Sequence, residues 1–299
     1  VDLVRERDFE GYLCGLLMPR SSRDAYFALR AFNVEIASIK SGRSSDSSSL
    51  ALQLRMQWWR DAVNQIYMYH ADDDSSPEEH QIHPALQSPV VQALFQSQKH
   101  CHWTRRFLER LIDAREADLE VAQYQSLDHL ITYSEETAGS LLYLTLESVG
   151  IRSDEADQVA SHAGVGIGLT TALRATPYRL AQGEVPLPSE LFTPDFPFNK
   201  LVQQNELREG ETKIFREAVR HVAFTASQHF TEIRNRQGQV PLSDGRTCLL
   251  PVIPSLNYLA KLEQSDYNVF DDRAMMAGAG SDRLRLLFLL SRTWLTSIY

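Results

Sequence analysis

The stretch Gly164–Leu191, GVGIGLTTALRATPYRLAQGEVPLPSEL, decides how this chain reads. Gly164, Gly166, Gly168 and Ala172 alternate with apolar Leu169 and Leu173. This is the pattern of a helix approached closely by a neighbouring helix or by a ligand. Arg174 and Arg179 give the helix a basic end. Pro177 has no amide donor and clashes one turn back, so the helix is expected to end or kink near Thr176. A loop, Gly183 to Pro186-Leu187-Pro188, follows.

The helical period extends outward from here. Leu52, Met56, Trp59, Val63 and Ile66 recur at spacings of four and three within Leu50–Tyr69, one face of an amphipathic helix. Phe215, Ala218, Val222, Ala226, Phe230 and Ile233 do the same within Glu211–Arg236. Further helices are expected over Asp2–Met18, Arg23–Ile39, Trp103–Leu119, Ser126–Val149, Glu155–Thr176 and Thr247–Leu262, and from Ser281 onward. No strand-like alternation appears, so periodicity gives an all-α protein. With 299 residues, 43% of them apolar, residues 1–299 are read as a single helical domain. Polar loops are expected near 42–49 and 71–83, and an amphipathic helix over 281–299.

Composition narrows the function. A net charge of −9 and a pI near 5.5, with no run of Lys or Arg, argue against nucleic acid as a partner. Cys14, Cys101 and Cys248 are odd in number and stand in no C-x-x-C spacing, which excludes a disulfide framework or a zinc motif. No apolar run approaches the length needed to span a bilayer. The chain opens on Val1, and a targeting presequence is expected to lie outside it. Asp72-Asp73-Asp74 sits among Ser, Pro and Glu and reads as a solvated loop. His80 and His83 have no partner at zinc-ligand spacing, and His162, among Ala and Gly, reads as a satisfied buried or half-buried histidine rather than a ligand. The tail RLRLLFLLSRTWLTSIY alternates Arg283, Arg285 and Arg292 with leucines. It reads either as a surface-seeking amphipathic helix or as one docked on its own domain.

The opening stretch resembles the second signature of the squalene/phytoene synthase family, all-helical prenyltransferases. In that signature Leu-Arg is followed at once by Asp, four residues later by a second Asp, and then by Gly-Arg-x-Tyr-Leu-Pro. Leu173-Arg174 and Gly183–Pro188 keep the frame, but the aspartate positions hold Ala175 and Arg179. The first signature, an Asp-Asp-x-x-Asp cluster downstream of Ala-Phe, is matched from Ala31-Phe32. There Ala37, Ser38 and Ser41 occupy the acidic positions, with Lys40 between them. The resemblance implies that both Mg²⁺ sites are lost, since Mg²⁺ needs hard oxygen ligands and Arg179 puts a fixed cation in place of one. No cofactor or metal is therefore expected, and no prenyltransferase activity.

The resemblance covers roughly residues 5–263. It implies an isoprenoid-synthase-type bundle around a central apolar cavity. In the family, the helix that matches Tyr133 and Ala138-Gly139-Ser140 lines the prenyl cavity. Leu141, Leu142 and Leu144 then either wall a remnant pocket or fill the core. Trp59, in Trp58-Trp59-Arg60-Asp61, likewise lines a cavity or packs in the core. Arg174 is a further pocket or partner residue. Glu35 holds a residual ligand or partner, or is simply a solvated helix acid.

ALRAFNVEIA, LRMQWWRDAVNQIY, SLLYLTLESVG and LRATPYR together resemble a degenerate mitochondrial branch of the family. This implies a non-enzymatic factor on the matrix side of the inner membrane. Its partners would be complex I subunits or early assembly intermediates, with peripheral contact to the membrane. Two alternatives stay open: a lipid or isoprenoid carrier without turnover, and an active prenyltransferase whose metal site has moved to Glu35 and the acidic loop.

Overall fold

The computed structural model describes residues 1–42, 49–71, 87–204, 207–236, 244–271 and 281–296. The loop expectations at 43–48 and 72–83, and the last three residues of the tail, lie outside them. The fold is all-α. In chain order the helices are α1 (Asp2–Arg7), α2 (Phe9–Leu17), α3 (Arg20–Ser41), α4 (Ser49–Ala71), α5 (Pro89–Cys101), α6 (Arg105–Ala117) and α7 (Leu127–Ser134). They continue as α8 (Ser140–Ser148), α9 (Asp154–Ala181), α10 (Phe198–Gln204), α11 (Glu209–Asn235), α12 (Asp244–Cys248), α13 (Val252–Gln264) and α14 (Ser281–Thr296). Among the described residues, the one β pairing outside helices is a parallel bridge between Gln123 and Val185.

α9 is the central element, packed against α7, α8, α11 and α13. Its buried residues, from Ala156 through Ala163, Val165, Leu169 and Leu173 to Leu180, cover most of its circumference, while Thr171 and Tyr178 stay exposed on the remaining face. The small residues Gly164, Gly166 and Gly168 bring neighbouring helices and side chains close. A Cβ added at Gly164 would lie 2.3 Å from Gly139 Cα, and one at Gly168 would meet Ser134. A second core cluster gathers α4, α5 and α6, with α3 and α8 shared between the two. The α4 stripe of Leu52, Met56, Trp59, Val63 and Ile66 is buried there as a unit, each side chain contributing about 1.5–3 kcal/mol of transfer free energy.

Four helix boundaries differ from the sequence reading. The expected break near Thr176 is absent, and α9 runs through Pro177 to Ala181. Proline removes a single backbone bond there, while buried Leu180 and the ion pairs of Arg179 anchor the last turn. The expected Asp2–Met18 helix divides at Asp8, which adopts φ −143° and caps α2 through its carboxylate, accepting from Gly11 N at 3.1 Å. Ser126–Val149 is continuous but contains a π turn at Glu135–Gly139. Thr247–Leu262 is split around Leu249–Pro251 into α12 and α13.

Candidate functional site

α3 and α9 face each other across a cavity of about 450 Å³. α3 contributes Arg30, Asn33, Val34, Ala37, Ser38 and Ser41, spaced by three or four residues along one face. α9 contributes Gly168, Thr171, Ala172, Ala175 and Arg179, again one face, together with Arg174. α7, the π turn and α8 close a third side with Leu130, Tyr133, Thr137 and Leu141, and α6 supplies Arg115. All five positions singled out by the two signature frames, Ala37, Ser38, Ser41, Ala175 and Arg179, therefore line one cavity. Tyr133, Leu141 and Arg174 line it as well.

The remaining expected pocket residues lie elsewhere. Trp59 is buried in the second core cluster, edge-on to Phe32 at 5.2 Å, because α4 turns its apolar stripe toward α3 and α6. Gly139 packs against Gly164 in the α9 contact. Glu35 is half-buried and stands outside the cavity lining, since the inward face of α3 is taken by Val34 and Ser38 on either side of it. Leu144 is wholly buried in the core, and its carbonyl accepts from Trp103 Nε1 at 3.0 Å.

The cavity wall is strongly basic, and most of its cations have partners. Arg30 pairs with Asp8, its Nε donating to Oδ2 at 2.6 Å. Burial opposes the Arg30 charge, but Asp8 more than offsets this and holds the guanidinium above its ordinary value. Arg174 Nη1 donates to both carboxylate oxygens of Glu10, at 2.9 and 2.7 Å. Arg179 bonds Glu184 and lies 4.0 Å from Asp118.

Lys40 is only 8% exposed. Its Nζ donates to Asp118 O at 2.7 Å, Asp118 Oδ2 at 3.1 Å and Val121 O at 2.9 Å, and stands 3.5 Å from Glu184. The Tyr124 hydroxyl donates to Asp118 Oδ1 at 2.7 Å. Lys40 of α3 and Arg179 of α9 thus share the same two carboxylates. The stretch 122–125 is held to the Gly183–Pro188 loop by Val185 N to Ala122 O and Ser189 N to Tyr124 O, both 2.8 Å.

Arg115 differs from Arg30, Arg174 and Arg179. Its guanidinium donates to the Tyr133 hydroxyl at 2.9 Å and to Asn33 Oδ1 at 3.3 Å, both neutral, and its buried Nε has no hydrogen-bond partner. The Tyr133 hydroxyl is pushed up by burial, with Arg115 opposing.

Sequence reasoning missed Arg30, Arg115, Asp8, Glu10, Asp118 and Glu184. Lys40, noted between two former acidic positions, and the basic residues Arg174 and Arg179 signalled the cations of the ion network, but not their partners. Those of Lys40 lie far away in sequence and could not be paired by spacing.

The sequence profile described as squalene/phytoene synthase matches residues 4–279. The chain belongs to the squalene/phytoene synthase family. A human family member, named "NADH dehydrogenase (ubiquinone) complex I, assembly factor 6", is 34% identical over 294 residues, covering 98% of this chain and 80% of that protein. The Bos taurus protein of the same name is 37% identical over 270 residues, covering 90% and 74%. The crystal structure of a dehydrosqualene synthase in complex with ligand matches with a TM-score of 0.73 at 16% identity, covering 99% of this chain and 95% of that one. That likeness places the chain in the isoprenoid-synthase-type fold of the squalene/phytoene synthase family.

Proposed function

We propose that this protein is a non-enzymatic assembly factor for mitochondrial respiratory complex I, acting at the matrix side of the inner membrane as a single domain over residues 1–299. The relatives named for that role, matched along most of their length, support it. One observation carries the non-enzymatic half of the reading, namely the donor set of the cavity. Ala37, Ser38, Ser41 and Ala175 bring two methyls and two hydroxyls to it, and Arg179 a cation. The nearby carboxylates are engaged: Asp8 with Arg30, Glu10 with Arg174, and Asp118 and Glu184 with Lys40 and Arg179. Such a set does not fit Mg²⁺, which takes free oxygen ligands in near-ideal octahedral geometry. Both aspartate-rich motifs of the family are, in this reading, replaced by an internal ion network.

The partners are complex I subunits or early intermediates, with peripheral contact to the inner membrane. The test is complex I content on native gels of mitochondria depleted of the protein, with rescue by the wild-type chain. Lost complex I restored by rescue is the expected result, and normal complex I after full depletion overturns the assembly role. Purified protein that converts a prenyl diphosphate in a Mg²⁺-dependent way overturns the loss of catalysis.

A second reading, a lipid or isoprenoid carrier without turnover, draws support from Arg115. A half-buried guanidinium spent on neutral acceptors in a basic cavity suits an anionic headgroup. Lipid co-purifying with the wild type but not with Arg115→Met, in native mass spectrometry, is the outcome that favours it.

A further inference from the structure

α14 carries two apolar faces. Leu286, Leu290 and Thr293 are buried where the helix packs on α13 and α2, and Arg283 lies over the Phe9 ring at 4.5 Å. Docking on the body therefore accounts for one face only. On the outer side Leu284 is 73% exposed, Phe288 67% and Leu295 74%, with Leu287 and Trp294 also in solvent. At about 100° per residue these five side chains fall within an arc of about 120°, along a stripe about 16 Å long.

The charges of this segment are arranged around that stripe. Arg285 and Arg292 lie along one flank, about a quarter of the wheel round from Leu284 and Leu295, and Arg283 lies on the other. From Arg283 to Tyr299 there is no Asp or Glu, although the whole chain carries −9. An apolar stripe bordered on both sides by arginines is the arrangement of a helix lying flat in a membrane interface. Its leucines and aromatics enter the acyl boundary, while the guanidinium groups reach sideways to phosphates. No described helix is long and apolar enough to cross a membrane, so this contact would be peripheral.

The geometry points to the outer face of α14 as a docking surface for an anionic phospholipid membrane, with Leu284, Leu287, Phe288, Trp294 and Leu295 inserted and Arg285 and Arg292 on headgroup phosphates. It deepens the peripheral membrane contact of the proposed function and rests on that part of it alone. A body already anchored through Leu286 and Leu290 needs no refolding to present the stripe.

The test is flotation of the full chain with vesicles of phosphatidylcholine alone or phosphatidylcholine mixed with phosphatidylglycerol. Co-flotation with the anionic vesicles is expected, lost in Leu284→Ser/Phe288→Ser. It should be weakened about thirty-fold in Arg285→Gln/Arg292→Gln, two surface charges being removed. All four residues are exposed, and an unchanged circular dichroism melt shows that the variants fold. Absence of flotation, or equal flotation of the leucine–phenylalanine variant, overturns the inference. So does concentration-dependent self-association abolished by the same substitutions while vesicles fail to bind, which would assign the face to a second copy. The assembly role is read separately on native gels. Flotation with normal complex I after depletion sinks the assembly reading alone, and no flotation with lost and rescued complex I sinks this inference alone.

Discussion

Replacing Lys40 by Met tests the ion network that joins α3 to α9. The Nζ group makes three hydrogen bonds, to the Asp118 main-chain and side-chain oxygens and to Val121 O, and lies 3.5 Å from Glu184. Asp118 is 4% exposed. Without Lys40 its carboxylate retains the Tyr124 hydroxyl and Arg179 at 4.0 Å, and two main-chain carbonyls lose a donor. Breaking a buried pair by removing one member costs about 3–5 kcal/mol. The residual contact with Arg179 brings the expectation to the lower end, about 3 kcal/mol. With a urea slope of about 3 kcal/mol per molar, the unfolding midpoint falls by about 1 M at unchanged slope. The double substitution Lys40→Met/Asp118→Leu removes both charges and should recover part of that loss. A loss below about 1 kcal/mol for Lys40→Met, or a double variant as unstable as the sum of the singles, refutes the reasoning.

Four further outcomes follow from particular contacts. Gly164→Ala places a methyl 2.3 Å from the Gly139 backbone, so α9 and the π turn must separate, lowering stability by about 1–3 kcal/mol in thermal melts. Arg115→Met strands no buried carboxylate but removes the donor to the Tyr133 hydroxyl and Asn33, and should cost about 1–2 kcal/mol in urea unfolding. Arg30→Met, which leaves Asp8 without its cation, should cost about 3 kcal/mol. His162 and His229 meet Nδ1 to Nδ1 at 3.0 Å between α9 and α11. Both are held below the ordinary 6.5, first by burial and then by Arg236 for His162 and by His162 for His229, with Glu232 opposing. The unfolded chain takes up these protons first, so their stability contribution is complete above 6.5 and is lost as pH falls through the lower folded values. The melting temperature should therefore drop between about pH 7 and pH 5, and drop less in His229→Gln.

What the sequence disclosed divides along the line between local and distant interactions. The α4 and α11 stripes were readable because a helical face repeats every three to four residues, and every stripe residue is buried. The motif frames were readable because each lies on one helix, which carries its members to one cavity wall. α5 escaped notice although Pro89, Val91, Leu94 and Gln98 form its start and inner face, a pattern too short to stand out beside a polar loop. The Lys40–Asp118 and His162–His229 pairs join residues far apart in sequence, and only packing reveals them. Pro177 misled because proline disfavours a helix locally, whereas buried Leu180 and the Arg179 ion pairs decide the matter non-locally.

The π turn at Glu135–Gly139 sets the phase between two halves of one rod. Upstream of it Tyr133 faces the cavity and accepts from Arg115. Downstream, Leu144 O and Ser148 Oγ both accept from Trp103 Nε1 in the second core cluster. A uniform α-helix one residue shorter would rotate everything beyond the turn by about 100°, and one of the two sets of partners would be lost. The extra residue lets a single helix keep Tyr133 and Leu141 on the cavity while its far end holds the Trp103 anchor, so chain length here is as constrained as side-chain identity.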